Sequence, residues 1–230
     1  MSGTKMEISE RKFTFRDKIK NALFPERCPY CTRVIPLGDL CCDDCAEKFN
    51  SITYHTYARG GFYTVSAVPY TDIFAEAIKR FKFNNSQQYA YQLARVMADA
   101  IVKEYKDEEF DMITFVPLHP VKLRERGYNQ SELLATELSR LSGIPVVTAL
   151  KKTRNNQPQH TQKKASQRES NVKGVYRLTD KRIAEGKRIL LIDDIITTGN
   201  TLGECGRILV AGGAEKVLCA TFAVTVVKTT

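Results

Sequence analysis

The sequence has no tryptophan, only three histidines, and no apolar run long enough to cross a bilayer. Its first ten residues are polar and lack the apolar core of a signal peptide. We therefore expect a cytoplasmic protein without stable membrane insertion. Low-complexity tracts are also absent, which argues against disorder. The 230 residues, 43% of them hydrophobic, suffice for one sizeable core and a small accessory module.

Acidic residues are scarce in one segment, residues 151–177. It contains eight Lys or Arg residues and one acid, Glu169, which gives +7 of the total net charge of +9. A polyanionic partner (a pyrophosphate, a nucleotide or a nucleic acid) and a merely solvated basic loop both remain open. Most of the segment lacks hydrophobic periodicity and predicts a loop of about twenty residues, a length typical of functional lids or disordered segments.

Seven cysteines in a protein expected to stay reduced favour metal binding over disulfides. Four of them form two Cys-x₂-Cys pairs separated by ten residues, which suits a tetrahedral site with no open position. The sequence therefore predicts a structural Zn²⁺ site that supplies much of the folding energy of its module, with a disulfide pair or buried free thiols as the alternatives. The predicted ligands are Cys28, Cys31, Cys42 and Cys45.

The other three cysteines are interpreted differently. Cys41 would give Cys-x₃-Cys spacing and is treated as a spare. Cys205 and Cys219 fall on an apolar helix face and an apolar strand, so we expect small core residues there.

A short basic helix is predicted before the cysteines, ending at Pro25. Phe15, Ile19 and Leu23 recur every four residues and form an apolar stripe. The stripe could touch a membrane surface, but packing against the rest of the protein is the favoured interpretation.

From residue 61 onward, apolar strands alternate with amphipathic helices, which predicts an α/β fold with a mainly parallel sheet. The predicted strands cover residues 62–63, 65–68, 112–116, 145–150, 188–192 and 216–226. The predicted helices cover residues 72–81, 87–103, 130–141 and 201–210. We accordingly divide the chain into an N-terminal helix and cysteine module over 1–60 and an α/β domain over 61–230.

The most informative segment joins the strand at 188–192 to the helix at 201–210. Two acids, Asp193 and Asp194, follow the strand, and a Thr- and Gly-rich turn opens the helix. Ligands of open α/β sheets bind beyond the carboxyl ends of the strands, and a helix N-terminus favours phosphate. Adjacent carboxylates suit the vicinal hydroxyls of a ribose or Mg²⁺. An ordinary buried strand with capping residues is the alternative, and neither a P-loop nor a Gly-x-Gly-x₂-Gly motif is present.

Residues 189–201 resemble the phosphoribosyl pyrophosphate (PRPP) signature of type I phosphoribosyltransferases. The chain as a whole resembles the ComF family of competence proteins, from about Phe24 to Val226. The resemblance rests on the cysteine pairs and on several blocks in the same order. These blocks are Tyr70 with Ile78-Lys-Arg-Phe-Lys-Phe83, Val116-Pro-Leu-His-Pro120, Arg124-Glu-Arg-Gly-Tyr-Asn-Gln130, Arg168-Glu-Ser-Asn-Val-Lys-Gly174 and Asp193-Asp-x₂-Thr-Thr-Gly199.

The resemblance implies a type I phosphoribosyltransferase fold with an N-terminal Cys₄ zinc ribbon, and binding of PRPP with Mg²⁺. It implies that the two acids hold the ribose hydroxyls, that residues 197–201 hold the 5′-phosphate, and that residues 151–177 form a flexible lid. The PRPP-binding residues implied are Asp193, Asp194, Ile195, Ile196, Thr197, Thr198, Gly199, Asn200, Thr201 and Lys82. The pyrophosphate loop implied is Pro117, Leu118, His119, Lys122, Arg124, Arg126 and Gly127.

Two features depart from the pattern of the relatives. The pyrophosphate loop is basic rather than small and Gly-rich, and Gln159 lies one residue farther from Arg168 than expected, which affects the register of the lid. Lys82 lies between two aromatics and either reaches a phosphate or extends its stem along the surface. His119 is the nearest candidate for a general base and otherwise only lines the loop.

Two functions from different classes follow. In a PRPP-dependent transferase, Asp193 and Asp194 would hold the sugar, while Mg²⁺, Arg124 and Arg126 would stabilise the departing pyrophosphate and a closing lid would exclude water. The resemblance also suggests an accessory of DNA uptake that binds single-stranded DNA, with PRPP in a regulatory role. That function needs exposed aromatics beside cations, for which Tyr128 and Tyr176 are the candidates. A PRPP sensor without turnover is a third hypothesis.

Overall fold

The computed structural model describes residues 3–11, 13–49, 52–83, 86–154 and 174–226. Its helices are α1 (Phe15–Leu23), α2 (Asp43–Ala46), α3 (Asp72–Phe83), α4 (Ala90–Glu104), α5 (Pro120–Arg126), α6 (Gln130–Ser142) and α7 (Asn200–Ala211). Its strands are β1 (Thr4–Lys5), β2 (Tyr54–Ala58), β3 (Phe62–Pro69), β4 (Glu109–Phe110), β5 (Met112–Phe115), β6 (Leu150–Lys152), β7 (Tyr176–Leu178), β8 (Arg188–Ile196) and β9 (Lys216–Val224). No helix within these ranges is long and apolar enough to span a bilayer.

The central sheet has the strand order β2-β3-β9-β8-β5. β3, β9, β8 and β5 run parallel, whereas β2 is antiparallel to β3. β9 is buried continuously from Val217 to Ala223, as expected for a strand covered on both faces. The expected α/β architecture, a mainly parallel sheet with flanking helices, is confirmed. Sequence reasoning missed β2, whose pairing with β3 crosses the proposed division of the chain at residue 60.

Two apolar layers cover the sheet. The buried sides of α3, α4 and α6 form one layer, which includes Phe81, Leu93 and Leu138. Leu202 and Leu209 of α7 pack on the opposite face together with residues of β6 and β7. The sheet is therefore sealed on both faces, and the ends of its strands remain as the places where a polar site can form.

The cysteine module packs onto α3 through aromatic side chains. Tyr30, Phe49 and Phe74 meet edge to face, with ring centroids 5.2, 5.7 and 5.0 Å apart. Arg80 of α3 donates hydrogen bonds to the carbonyl oxygens of Pro29 and Tyr30, at 3.0 and 2.8 Å. The module thus shares a core with the α/β domain instead of being tethered to it.

Helix α1 forms as predicted, but its apolar stripe does not pack on the protein. Phe15, Ile19 and Leu23 are 79, 49 and 71% exposed, so the favoured interpretation was wrong. The helix is stabilised locally, because Thr14 and Asp17 form a reciprocal capping box. Periodicity identified the apolar face of the helix but carries no information about what covers it.

Two strand boundaries also differ from expectation. β8 does not end at Ile192 but continues through both acids to Ile196, still paired with β9. In the segment 145–150, only Val146 bridges to the sheet, at Ile113, and regular pairing starts at Leu150. β-branched residues favour extended backbone on both sides of Asp193 and Asp194, so the carboxylates project from a regular strand.

Candidate functional site

The candidate site lies at the carboxyl end of the parallel strands. β5 and β8 are neighbours with the same direction, so the acids of β8 and the segment after β5 meet at one edge of the sheet. That segment is held in place because Val116 donates its N–H to Ile192 O at 3.0 Å, and Asn129 Nδ2 donates to Val116 O, also at 3.0 Å. The segments predicted to bind the ribose and the pyrophosphate are therefore connected by hydrogen bonds at this edge of the sheet.

Lys82 and Asp194 form the central ion pair of this edge. Lys82 Nζ lies 2.7 Å from Asp194 Oδ2, and their side chains are only 22 and 9% exposed. Lys82 ends up here because α3 is fixed nearby by the Tyr128 hydroxyl, which donates to Phe81 O at 2.5 Å. Lys82 therefore contacts a carboxylate of the site instead of extending its stem along the surface. Contact with a phosphate stays a prediction.

Asp193 has different partners from its neighbour. Its Oδ1 accepts hydrogen bonds from Ser131 Oγ at 2.8 Å and from the N–H of Asp194 at 2.9 Å. Burial, and next the charge of Asp194, raise the pKa of Asp193 to about 7, against the opposing effects of Ser131 and Lys82. The two neighbouring carboxylates therefore repel each other, and a pKa raised in this way is typical of functional sites.

The turn after β8 forms a small cradle. A cavity of about 30 Å³ is lined by Asp193 and residues 195–202. Gly199 has φ 69°, and a Cβ there would come within 2.8 Å of Ala58 Cα, so the chain requires glycine at this position. Thr197 and Thr198 are exposed at the rim, and α7 begins at Asn200, directly after its N-cap Gly199. Its free N–H groups and the hydroxyls suit a phosphate.

The predicted pyrophosphate loop is mostly helical, which corrects the expectation of a loop over 117–127. Pro117 is buried, and Leu118 and His119 are half-buried before α5 begins. His119 caps α5, since its Nδ1 accepts from the N–H of Val121 at 3.3 Å. A helix forms because Pro120 occupies the first turn and Gly127 ends it with φ 82°.

Helix α5 distributes its cations unevenly. Lys122 and Arg126 are half-buried, whereas Arg124 is exposed. Arg126 lies between two residues: its guanidinium is 5.2 Å from the ring centroid of Phe83, and its Nη1 donates to Gln130 Oε1. Phe83 is itself 71% exposed at the end of α3, next to Lys82.

The ends of the predicted lid are ordered into a ribbon. β6 and β7 pair antiparallel, and Thr153 donates to Val175 O at 2.8 Å. Gly174 donates its N–H to Glu204 Oε1 of α7 at 3.1 Å. Residues 155–173 lie outside the described residues, and they include Gln159, Glu169 and most of the block from Arg168 to Gly174.

Tyr128 and Tyr176 are not available as stacking platforms. They are only 6 and 5% exposed, so the expectation that they would contact bases was wrong. Burial raises the pKa of Tyr176, and the charges of Cys205 and Asp193 add to this effect. Both side chains are therefore buried in the protein interior and not on the surface of the site.

A second cluster lies in the N-terminal module. The sulfur atoms of the four predicted ligands all lie within 4.8 Å of one another. The spare assignment of Cys41 is confirmed, because that residue is outside the cluster, and Cys205 and Cys219 are fully buried core residues as predicted. The clustered cysteines are Cys28, Cys31, Cys42 and Cys45.

The thiol chemistry of this cluster suits a metal ion. Burial opposes ionisation of Cys31, but the N–H of Arg33 and the neighbouring thiols lower its pKa to about 7. Its sulfur lies 3.5 Å from that of Cys42. Burial raises the pKa of Cys28 and Cys45, so the geometry is what supports the site: four sulfurs at this spacing are the donor set that Zn²⁺ prefers.

Sequence reasoning missed several residues at the sheet edge. Ser131 is the hydrogen-bond donor to Asp193, and Phe83 carries the guanidinium of Arg126. Lys152 of β6 lies with its ammonium 5.3 Å from the ring centroid of Tyr176. Ser131 directly follows the Gln130 block, which was the only sequence signal for it.

The sequence profile of the Phosphoribosyl transferase domain family matches residues 126–228. Competence protein F of Haemophilus influenzae is 33% identical over 61% of this chain and 63% of its own length. Competence protein ComFC of Bacillus subtilis is 30% identical over 87% of this chain and 78% of its own. DNA utilization protein YhgH of Escherichia coli is 28% identical over 84% of each.

Among solved structures, an adenine phosphoribosyltransferase aligns with a TM-score of 0.44 and 15% identity, covering 79% of this chain and 89% of that one. The match to ComFC covers most of both chains. The chain therefore belongs to the ComF family of competence proteins and contains a phosphoribosyl transferase domain.

Proposed function

We propose that the chain binds PRPP together with Mg²⁺ at the carboxyl end of β8. The observation that supports this most is the paired carboxylate of Asp193 and Asp194 set directly beside the cradle of residues 195–202. The carboxylates suit a vicinal diol, and the cradle suits a phosphate. A ribose 5-phosphate unit carries both groups.

Different side chains would bind the phosphate, the ribose and the diphosphate of the ligand. Thr197, Thr198 and Thr201 would donate hydroxyls to the 5′-phosphate at the start of α7, while the two acids accept from the ribose hydroxyls. Lys82, which pairs with Asp194, would turn toward the diphosphate. Mg²⁺ would supply charge neutralisation at the diphosphate, with the carboxylates of Asp193 and Asp194 as the nearest oxygen donors.

The reaction proposed for this site is transfer of the phosphoribosyl group. The bond between ribose C1 and the diphosphate oxygen breaks, a bond from C1 to an acceptor forms, and the acceptor loses a proton. Arg124 and Arg126 of α5 would stabilise the charge that collects on the departing pyrophosphate. His119 is committed to capping α5, which argues against it as the base that receives the proton.

Calorimetric titration with PRPP, with and without Mg²⁺, tests the binding. The double variant Asp193→Asn with Asp194→Asn should lose at least tenfold in affinity, about 1.4 kcal/mol. Asp99→Asn on α4, where the carboxylate pairs with Arg95 instead of facing the site, is the matched control and should bind like the wild type. Equal affinity of all three proteins would refute the site, and binding without pyrophosphate release would indicate a sensor.

We also propose Zn²⁺ at the cysteine cluster in a structural role. The four sulfurs fill a tetrahedral shell and leave no position for a substrate. Cys28 and Cys45 are buried in the same core as Tyr30 and Phe74. The ion would therefore hold the module in the shape that α3 requires.

A role in handling single-stranded DNA during uptake is the second candidate. It rests on the names of the relatives and on one feature of the surface: the exposed ring of Phe83 beneath the guanidinium of Arg126. An exposed ring beside cations suits base stacking. Affinity for an oligothymidylate should fall steeply with salt and drop severalfold in Phe83→Ala; a salt-independent affinity would exclude electrostatic DNA binding.

A further inference from the structure

Helix α1 turns its polar side toward the protein. Phe15 and Ile19 are exposed, whereas Asp17, Lys20 and Asn21, on the opposite side of the helix, line a cavity of about 570 Å³. Amphipathic helices normally bury their apolar side, so local packing does not explain this orientation. The orientation is explained if the polar side forms one wall of a binding site.

The cavity lies between α1, a loop of the cysteine module and the start of α4. Its remaining walls are Arg11, the turn over residues 23–27, Leu37, and Gln88 and Gln92 of α4. The described residues that line it include none from the acid pair, the cradle or α5. Its volume is in the range of sites for small molecules.

Gln92 carries a polar group that the protein leaves unused. Its side chain is only 2% exposed, yet its Oε1 has no hydrogen-bond donor among the described residues. A buried acceptor without a donor costs free energy, and a leucine of similar volume would avoid this cost. The carboxamide therefore suits a ligand that brings an N–H or O–H group to this wall of the cavity.

Three cations line the same cavity, namely Arg11, Lys20 and Arg27. Within the ranges that the structure describes, no carboxylate lies within ion-pair distance of any of them. The two acids of the cavity already accept hydrogen bonds from backbone N–H groups, at 2.8 Å for Asp17 and 3.0 Å for Glu26. The cavity therefore favours an anionic ligand.

Arg11 is held in place by two aromatic rings. Its guanidinium carbon lies 5.1 Å from the ring centroid of Phe13 and 4.7 Å from that of Tyr91. Stacking uses the faces of a guanidinium and leaves its N–H edge available. That edge binds a phosphate through two parallel hydrogen bonds.

We propose that this cavity binds a nucleotide whose base carries an amino group, such as an adenine nucleotide. The phosphate contacts Arg11 and Lys20, and the exocyclic amino group donates to Gln92 Oε1. The base packs on Phe24, which lines the cavity and is 74% exposed. This second ligand site goes beyond the proposed binding of PRPP and does not depend on it.

Calorimetric titration with AMP tests the site. The titrations use the double variant Asp193→Asn with Asp194→Asn, because AMP also carries the ribose 5-phosphate that the candidate site is proposed to bind. In that background Gln92→Leu should weaken AMP binding about tenfold, the loss expected for a buried hydrogen bond, and Lys20→Met should weaken it severalfold. Lys18→Met makes the same change on α1 outside the cavity and should have no effect. Adenosine and inorganic phosphate, which each carry one part of the ligand, should bind far more weakly than AMP.

Urea denaturation separates a role in binding from a role in structure. Because Gln92 Oε1 has no donor in the protein, Gln92→Leu should be at least as stable as the wild type while it loses affinity for AMP. A clearly less stable Gln92→Leu would show that the carboxamide makes a structural hydrogen bond, and the inference would fail.

Three other results would overturn the inference. AMP that binds the wild type but not the double variant would occupy the candidate site instead of the cavity. Inorganic phosphate that binds as tightly as AMP would indicate a site for simple anions. Equal losses in Lys18→Met and Lys20→Met would show a general effect of net charge. None of these results bears on whether the wild type binds PRPP, so the proposed function is tested separately.

Discussion

Asp193 and Asp194 are adjacent in sequence, yet among the residues that the structure describes only Asp194 has a cation as a direct partner. Asp194 pairs with Lys82 at 2.7 Å, while Asp193 relies on the hydroxyl of Ser131 and a backbone N–H. Because uncompensated charge is costly in a buried setting, Asp193 is the residue whose ionisation the fold resists. A ligand that brings Mg²⁺ or hydroxyl groups supplies what this carboxylate lacks.

This resistance predicts a dependence of stability on pH. With a folded pKa of about 7 against an ordinary value of 3.8, the native state binds more protons at Asp193 than the unfolded state does. The free energy of unfolding should therefore fall as pH rises from about 4 to 7, and Asp193→Asn should abolish this contribution. At pH 8 without Mg²⁺, Asp193→Asn should be more stable than the wild type by on the order of 4 kcal/mol, since each pKa unit corresponds to about 1.4 kcal/mol.

Urea denaturation at pH 4 and pH 8 measures the difference. At the lower pH both proteins carry a neutral group at this position, so their stabilities should converge. Asp99→Asn, on the exposed face of α4, should show no such trend. A wild type more stable than Asp193→Asn at pH 8 would show that the carboxylate is not strained.

At this scale the sequence predicted residues whose signal is local. The acid pair and the cysteine pairs stand out because a few neighbouring positions define them. The partners of Asp193 and Asp194 come from elsewhere in the chain: Lys82 is over a hundred positions away, and Ser131 about sixty. The family resemblance pointed to Lys82 but not to Ser131, and local patterns point to neither, because which lysine or serine arrives there depends on how the helices pack.

At the scale of elements, α7 is pressed against the hairpin of β2 and β3. Gly203 of α7 has no room for a side chain: a Cβ would lie 2.1 Å from the carbonyl oxygen of Arg59. At Gly206, one turn further, the Cβ would meet the ring of Phe62 at 2.8 Å, and a ring can shift more easily than backbone. The hairpin that carries β2 therefore depends on two glycines in a helix.

We predict that Gly203→Ala destabilises the protein by about 2–4 kcal/mol, although alanine is the better helix former by about 1 kcal/mol. Gly206→Ala should cost clearly less. Thermal and urea denaturation of both variants measure the difference. If Gly203→Ala is as stable as the wild type, the close approach of α7 and the hairpin is wrong.

Helix α1 should behave in the opposite way. Phe15, Ile19 and Leu23 are exposed, so changing all three to serine removes no buried contact. We expect the free energy of unfolding to change by less than about 0.5 kcal/mol per substitution. Phe81→Ala in α3, at a fully buried position, should cost about 3–5 kcal/mol. A large loss in the triple variant, measured by urea denaturation, would show that the stripe is covered in solution.

The elements that sequence reasoning recovered are those with long periodic patterns, such as α4, α6 and β9. It missed β2, whose alternating Tyr, His and Thr residues belong to an edge strand with little apolar signal. It treated α5 as a loop because four charges within seven residues obscure the periodicity, although Pro120 and Gly127 mark both ends. The ribbon of β6 and β7 was hidden for another reason: its pairing joins segments over twenty residues apart.

For the whole molecule, we predict that the cysteine cluster contributes to global stability. Cys45→Ser should lose the metal, measured by elemental analysis, and lower the melting temperature by at least several degrees, since metal binding and folding are coupled. Cys41→Ser, a neighbouring thiol outside the cluster, should keep the metal and nearly the stability of the wild type. Wild-type protein purified without metal, or a metal-loaded Cys45→Ser, would contradict the zinc site.

The overall architecture could be anticipated because alternating strands and helices allow few topologies. The packing of the cysteine module against α3 could not be predicted from the sequence. Its contact with α3 depends on Phe49 and Phe74 meeting the ring of Tyr30, and each of these reads in the sequence as an ordinary apolar residue.

Helix α3 contacts both the cysteine module and the candidate site. Phe74 and Arg80 are fastened to the first cysteine knuckle, and Lys82, barely half a turn beyond Arg80, is fastened to Asp194. Because both contacts belong to one short helix, removal of the proposed metal ion by a chelator should disturb the contact between the Lys82 ammonium and Asp194.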